Sequence, residues 1–195
     1  MASGVLAAKL SSLAMFFLLL LVLSSPPACH GGSQNITAIL AAHPDLGEFS
    51  SLLTSAGLAD NISQRKDGGP VTVLAVNDTA MASLKNMPRE AIWGHLSLHV
   101  LLDCYYDDAK LQGLPLGGGG TVVSTLFHAA GGGIPGVYGM VKVFRVPKGR
   151  GGVGFLPMAG DVVGAVGKAA FFVKSVYGGA PYSLSVLQVS GVMST

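Results

Sequence analysis

The chain has 195 residues and a mass of 19.8 kDa, a size that suits one medium domain with appended signals. Half of its residues are hydrophobic, mean hydropathy is +0.55 and only 11% are charged, which excludes a disordered polyelectrolyte. Twelve basic and ten acidic residues are interspersed without a basic stripe, so the composition argues against a nucleic-acid partner.

The N-terminal stretch reads as an address. Lys9 supplies a positive n-region, residues 13–23 an apolar core, and Ser24-Ser25-Pro26-Pro27-Ala28 a small, helix-ending c-region. The apolar core is too short to span a bilayer, so a secretory signal over 1–32, cleaved between about 28 and 32, is expected. An uncleaved N-terminal anchor is the alternative. Cleavage at the later bonds removes Cys29 and leaves Cys104 alone, either buried and inert or open to an intermolecular bridge. Secretion gives weight to three sequons, at Asn35, Asn61 and Asn77. Asn35 and Asn61 fall at predicted helix edges. Asn77 ends a strand-like run, where it is either a glycan acceptor or a helix cap.

Helical patterning dominates the first half. Ile36, Ile39 and Leu40 make one apolar face that ends at His43-Pro44, because the residue before proline is pushed out of the α region. Asp45 and Glu48 have capping-box spacing, and Leu46, Phe49, Leu52 and Leu53 continue at helical intervals to a C-terminal cap at Gly57. Residues 67–70 read as a turn. The β-branched run 71–76 predicts a largely buried strand. Asp78 is placed as the cap of a helix to about Lys85, and Pro88 near the start of another over 89–98. Short apolar runs at 121–127, 137–146, 153–156, 170–177 and 182–190 then read as strands, with glycine clusters between them. Helices first and strands later predict a single α+β domain with a mostly antiparallel sheet.

Catalytic signatures are missing. His95 and His99 share the spacing of a zincin pair, but Leu96 occupies the place of the essential glutamate. The residue-level expectation is a packed His99 at a helix–strand junction, with its ring bonded to backbone. Gly167-Lys168 is followed by Ala169, so no phosphate-binding P-loop is present, and no Gly-x-Ser-x-Gly elbow occurs. Asp107 and Asp108 are adjacent, and Glu48 and Glu90 offer no acid–base spacing. No catalytic, metal-binding or cofactor-binding residue is predicted, and the chain is not expected to be an enzyme.

Three segments, in order, resemble the fasciclin (FAS1) domain, specifically the plant fasciclin-like arabinogalactan proteins. Thr72-Val73-Leu74-Ala75-Val76-Asn77-Asp78-Thr79-Ala80-Met81 is similar to the family's first box. Leu96-Ser97-Leu98-His99-Val100-Leu101-Leu102-Asp103 resembles the central histidine segment, and Tyr182-Ser183-Leu184-Ser185-Val186-Leu187-Gln188-Val189-Ser190 the closing box. With the opening Asn35-Ile36-Thr37-Ala38-Ile39-Leu40, the resemblance covers residues 34–190, leaving 191–195 as a short tail. It implies N-terminal helices with a β-wedge or sandwich, and a non-catalytic extracellular role in adhesion or wall organisation. It marks Leu98, His99 and Val100 as adhesion-associated, whereas the residue-level reading favours them as structural core. The implied partners are matrix or wall polysaccharides and glycoproteins, with homophilic contact included; a membrane partner requires a GPI-anchored form. Two features depart from the family pattern: beyond the leader, prolines are isolated rather than in Ala-Pro, Ser-Pro or Thr-Pro runs, and no apolar tail is expected after residue 190. The alternatives are an extracellular carrier of a lipid or other small ligand, whose apolar residues would line a cavity, and behind it a cryptic hydrolase.

Overall fold

The computed structural model describes residues 35–64, 69–105, 111–114, 119–131, 136–146, 152–159, 168–178 and 184–194. The predicted leader with its expected cleavage bond, Asp107, Asp108 and parts of the 67–70 turn and glycine clusters lie outside the described residues.

Three helices open the fold: α1 (Ile36–Ala41), α2 (Gly47–Ser55) and α3 (Leu58–Ser63). Asn35 starts α1, its side-chain oxygen accepting from the Thr37 and Ala38 N–H groups at 3.0 and 3.2 Å. Asp45 does not cap α2 as the spacing predicts, because Pro44–Leu46 forms a 3-10 turn. The Glu48 N–H instead donates to Asp78 Oδ1 at 2.8 Å. A carboxylate distant in sequence thus serves the helix end that the local box was expected to serve. Gly57, with φ of +74°, takes the left-handed conformation that joins α2 to α3, as a glycine at this junction should.

Strand β1 (Val71–Val76) follows, buried at every position. Asn77, rather than Asp78, caps α4 (Asp78–Met81): its side chain accepts from the Ala80 N–H at 3.0 Å. A 3-10 turn at Ala82–Leu84 leads on to α5 (Arg89–Leu98) and the short β2 (Val100–Leu101). The predicted strand at 121–127 is cut short. Strand β3 ends at Val123, and the Thr125 hydroxyl accepts from the His128 N–H at 3.1 Å, starting α6 (Leu126–Ala130). The run at 137–146 likewise shortens to β4 (Val141–Arg145), preceded by turns. Strands β5 (Val153–Pro157), β6 (Ala170–Gly178) and β7 (Leu184–Val189) complete the order.

The strands form one mixed sheet in the order β2-β1-β7-β6-β5-β4-β3. Neighbours are antiparallel except β1 and β7, which run parallel with Thr72 opposite Ser185. A bridge between Leu101 and Thr125, with the Leu102 N–H bonded to Ser124 O at 2.8 Å, brings the two edges together into a near-barrel. Central β1 and β7 are buried on both faces and are mostly apolar, with Thr72, Ser185 and Gln188 as their buried polar residues. Strand β4 keeps one wet face, so Lys142 alternates with buried Val141 and Val143. Gly154 lies opposite both Phe144 and Phe171, whose rings meet edge-on at 6.5 Å; a side chain there would collide with the Phe144 ring. Ile36, Leu40, Phe49 and Leu53 of the helical layer share one core with Leu74, Val76, Val186 and Leu187 of the sheet.

Candidate functional site

Helix α5 carries the His95/His99 pair. Glu90 in its first turn and His95 in its last complement the helix dipole, and His99 is its C-cap residue. One turn apart, the two imidazoles reach the same residue of the C-terminal segment. The Met193 N–H donates to His99 Nε2 at 2.9 Å, and His95 Nδ1 donates to the Met193 carbonyl at 2.9 Å. His99 Nδ1 donates to the Leu74 carbonyl of β1 at 2.7 Å. These partners assign the tautomer: an acceptor at Nε2 requires the proton to sit on Nδ1.

His99 is 1% exposed and meets the Phe49 ring edge-on at 6.3 Å. Burial drives its pKa down to about 4, partly opposed by the hydrogen bond to Leu74, while positive charge on nearby His95 lowers it further. Both ring nitrogens of His99 are engaged by backbone, so the ring has no lone pair for a metal or a substrate proton. Among the described residues no group of three metal-ligating side chains comes together. Leu98, His99 and Val100 are all buried, at 2%, 1% and 1% exposure. The structure therefore brings this segment into the core, where it joins helix to sheet.

Sequence reasoning missed a second polar centre. The Thr72 hydroxyl donates to the Asp103 carbonyl at 2.7 Å, accepts from the Tyr105 N–H at 2.9 Å and lies 2.9 Å from the Ser185 hydroxyl. Thr72 is fully buried. This network joins β1, β7 and the loop after β2, and burial together with the Asp103 carboxylate raises the Tyr105 pKa. A hydroxyl at the second position of each mostly apolar strand, VTVLAV and LSVLQV, was the available signal.

Cys104 is buried, as expected, but it is not a lone thiol: it is disulfide-bonded. The sequence contains one other cysteine, Cys29. The expectation of a solitary thiol assumed that leader removal takes Cys29 away.

The sequons divide by exposure. Asn35 and Asn61 are exposed on the helical layer, whereas Asn77 is half-buried; Asn35 and Asn77 both cap helices through the side-chain oxygen. Beside Asn35 lies a polar recess of about 300 Å³, lined by Thr37, Asp60, Ser63 and Gln64. A broader groove of about 500 Å³ runs along α2, bordered by His43, Ser50, Ser51, Thr54 and Ser55. Neither recess gathers an acid, a base and a nucleophile. No helix among the described residues is long and apolar enough to cross a membrane.

No family model matches the chain. It is 35% identical over 184 residues to fasciclin-like arabinogalactan protein 8 of Arabidopsis thaliana, covering 94% of this chain and 40% of that protein. It is 33% identical to fasciclin-like arabinogalactan protein 2 of the same plant, covering 84% of this chain and 38% of the relative. For fasciclin-like arabinogalactan protein 10 the figures are 35%, 90% and 37%. The chain thus spans about two fifths of the length of these relatives. A solved FAS1 domain pair from the insect cell adhesion molecule fasciclin I aligns with TM-score 0.49 and 16% identity, over 77% of this chain and 45% of that one. The order of the boxes and the identities across most of the chain agree: the chain belongs to the FAS1-domain family of the fasciclin-like arabinogalactan proteins.

Proposed function

We propose that the protein is a secreted, N-glycosylated, non-catalytic FAS1 module that binds wall or cell-surface components. One observation carries the reading: the chain's potentially reactive histidine pair is spent on holding its own backbone, while two sequons stand exposed on the helical layer. The histidine segment acts as scaffold, and recognition falls to the exterior. Its partners are wall or matrix polysaccharides and glycoproteins, a second copy of the chain included. Glycans on the exposed Asn35 and Asn61 keep the helical face hydrated and leave the sheet side for contact; the half-buried Asn77 stays unmodified. A lipid carrier would need an enclosed apolar cavity, whereas the α2 groove and the Asn35 recess are open and bordered by hydroxyls and small side chains.

Direct titration of the glycosylated protein against fractionated wall polysaccharides, with sedimentation equilibrium for self-association, tests the proposal. Saturable binding or dimerisation in the micromolar range is expected. Absence of both at high micromolar concentration would overturn it.

A further inference from the structure

Residues 190–194 do not trail away from the domain. Val192 and Met193 are buried, the Lys168 N–H donates to Ser194 O at 2.8 Å, and the Ser190 N–H donates to Phe171 O at 2.8 Å. Between these end ties the segment is held by α5: His95 takes the Met193 carbonyl and His99 its N–H. The two bonds differ in chemistry. His95 donates, so protonation leaves its bond intact. His99 accepts through Nε2, so protonation replaces the lone pair with a second N–H aimed at the Met193 N–H, and that bond is lost.

We propose that the segment 190–194 is an acid-released latch, whose docking to α5 and β1 opens when His99 takes up a proton while the rest of the domain stays folded. The surroundings favour release over accommodation of the charge. Phe49 faces His99 from α2, Leu74 from β1 and Met193 from the segment itself. The titratable neighbour on α5 is His95, and the charged residue that the segment brings alongside, Lys168, is a cation. None of these compensates a buried imidazolium, whereas opening the short segment hydrates it. The depressed pKa of His99 has the same origin. Few backbone bonds hold the segment, so it opens at a smaller free-energy cost than the sheet.

Amide hydrogen exchange by NMR on the intact protein tests the latch. Protection at Met193, corrected for intrinsic exchange and referenced to Val186 in β7, should fall about fiftyfold between pH 7 and pH 4.5, with Val186 unchanged. His99→Gln, which keeps a donor and an acceptor but does not titrate, should remove that pH dependence; His95→Gln should preserve it. If His99→Gln does not fold, the wild-type ring signals decide: the His99 imidazole must be the Nδ1–H tautomer and titrate together with the loss of Met193 protection. A Met193/Val186 protection ratio that does not change with pH, or loss of both amides in one transition, overturns the proposal.

Discussion

His99 holds both polar backbone atoms of Leu74. Its carbonyl accepts from the Leu74 N–H at 2.8 Å, and its Nδ1–H donates to the Leu74 carbonyl at 2.7 Å. The β1–β2 ladder, which pairs Val73 with Val100, is thereby extended by a side chain at the point where α5 turns into β2. Through Nε2 the same ring reaches Met193, so one residue ties helix, sheet and C-terminal segment together.

His99→Ala is expected to lower stability by about 3–5 kcal/mol, because it leaves the Leu74 carbonyl and the Met193 N–H buried without partners and opens a cavity. His95→Ala, at a half-buried position, should lower it by about 1 kcal/mol. Urea unfolding of the two variants compares them directly. Equal losses would contradict the central role given to His99.

The pH dependence has a definite sign. His99 titrates near 4 when folded against 6.5 as its ordinary value, so below pH 6.5 the unfolded state binds the proton and the folded state does not. Its contribution is fully present above pH 6.5, is lost progressively as pH falls towards 4, and amounts to about 3 kcal/mol. Tyr105 acts at the other end: its pKa is raised, so stability declines as pH climbs above the ordinary tyrosine value. Unfolding midpoints across the pH range check both. A flat profile between pH 7 and pH 4 would contradict the histidine assignment.

Thr72→Val keeps the shape of the side chain and removes its hydroxyl. The Tyr105 N–H, the Asp103 carbonyl and the Ser185 hydroxyl then lose a shared partner. A loss of about 2–3 kcal/mol is expected, with Thr72→Ser much milder, as measured by thermal or chemical unfolding.

The bonded state of Cys104 bears on processing. Because Cys29 is the other cysteine in the sequence, an intramolecular bridge requires that any leader cut fall on the N-terminal side of Cys29. The mature protein should carry no free thiol, and Cys104→Ala should lower stability by about 4 kcal/mol through the long loop released. Thiol titration of the denatured, unreduced protein reads this out, and a free thiol would contradict it.

How far the sequence reveals the fold depends on where each element's determinants lie. Strand β1 was readable to the residue because six consecutive apolar and β-branched positions admit little else. The Asn77 cap was visible as one of two uses of the same side chain. Asp78 was not readable as the partner of Glu48, since their meeting depends on the packing of α2 against α4, thirty residues apart. The break after Val123 turned on the Thr125 hydroxyl, a local hydrogen bond that outweighed the apolar pattern. The parallel β1–β7 pairing joins residues more than a hundred positions apart, and with it the Thr72–Ser185 contact stayed hidden. His99 was recognisable as a structural histidine bonded to backbone; Met193, in what read as a tail, was not recognisable as its partner.

The most direct measurement is the intact mass of the native protein, before and after enzymatic removal of N-glycans, with terminal peptides sequenced and sequons mapped. The account predicts an N-terminus at or before Cys29, glycans on Asn35 and Asn61, and none on Asn77. An unglycosylated chain, or one that retains its leader, would contradict the reading of this protein as a secreted FAS1 glycoprotein.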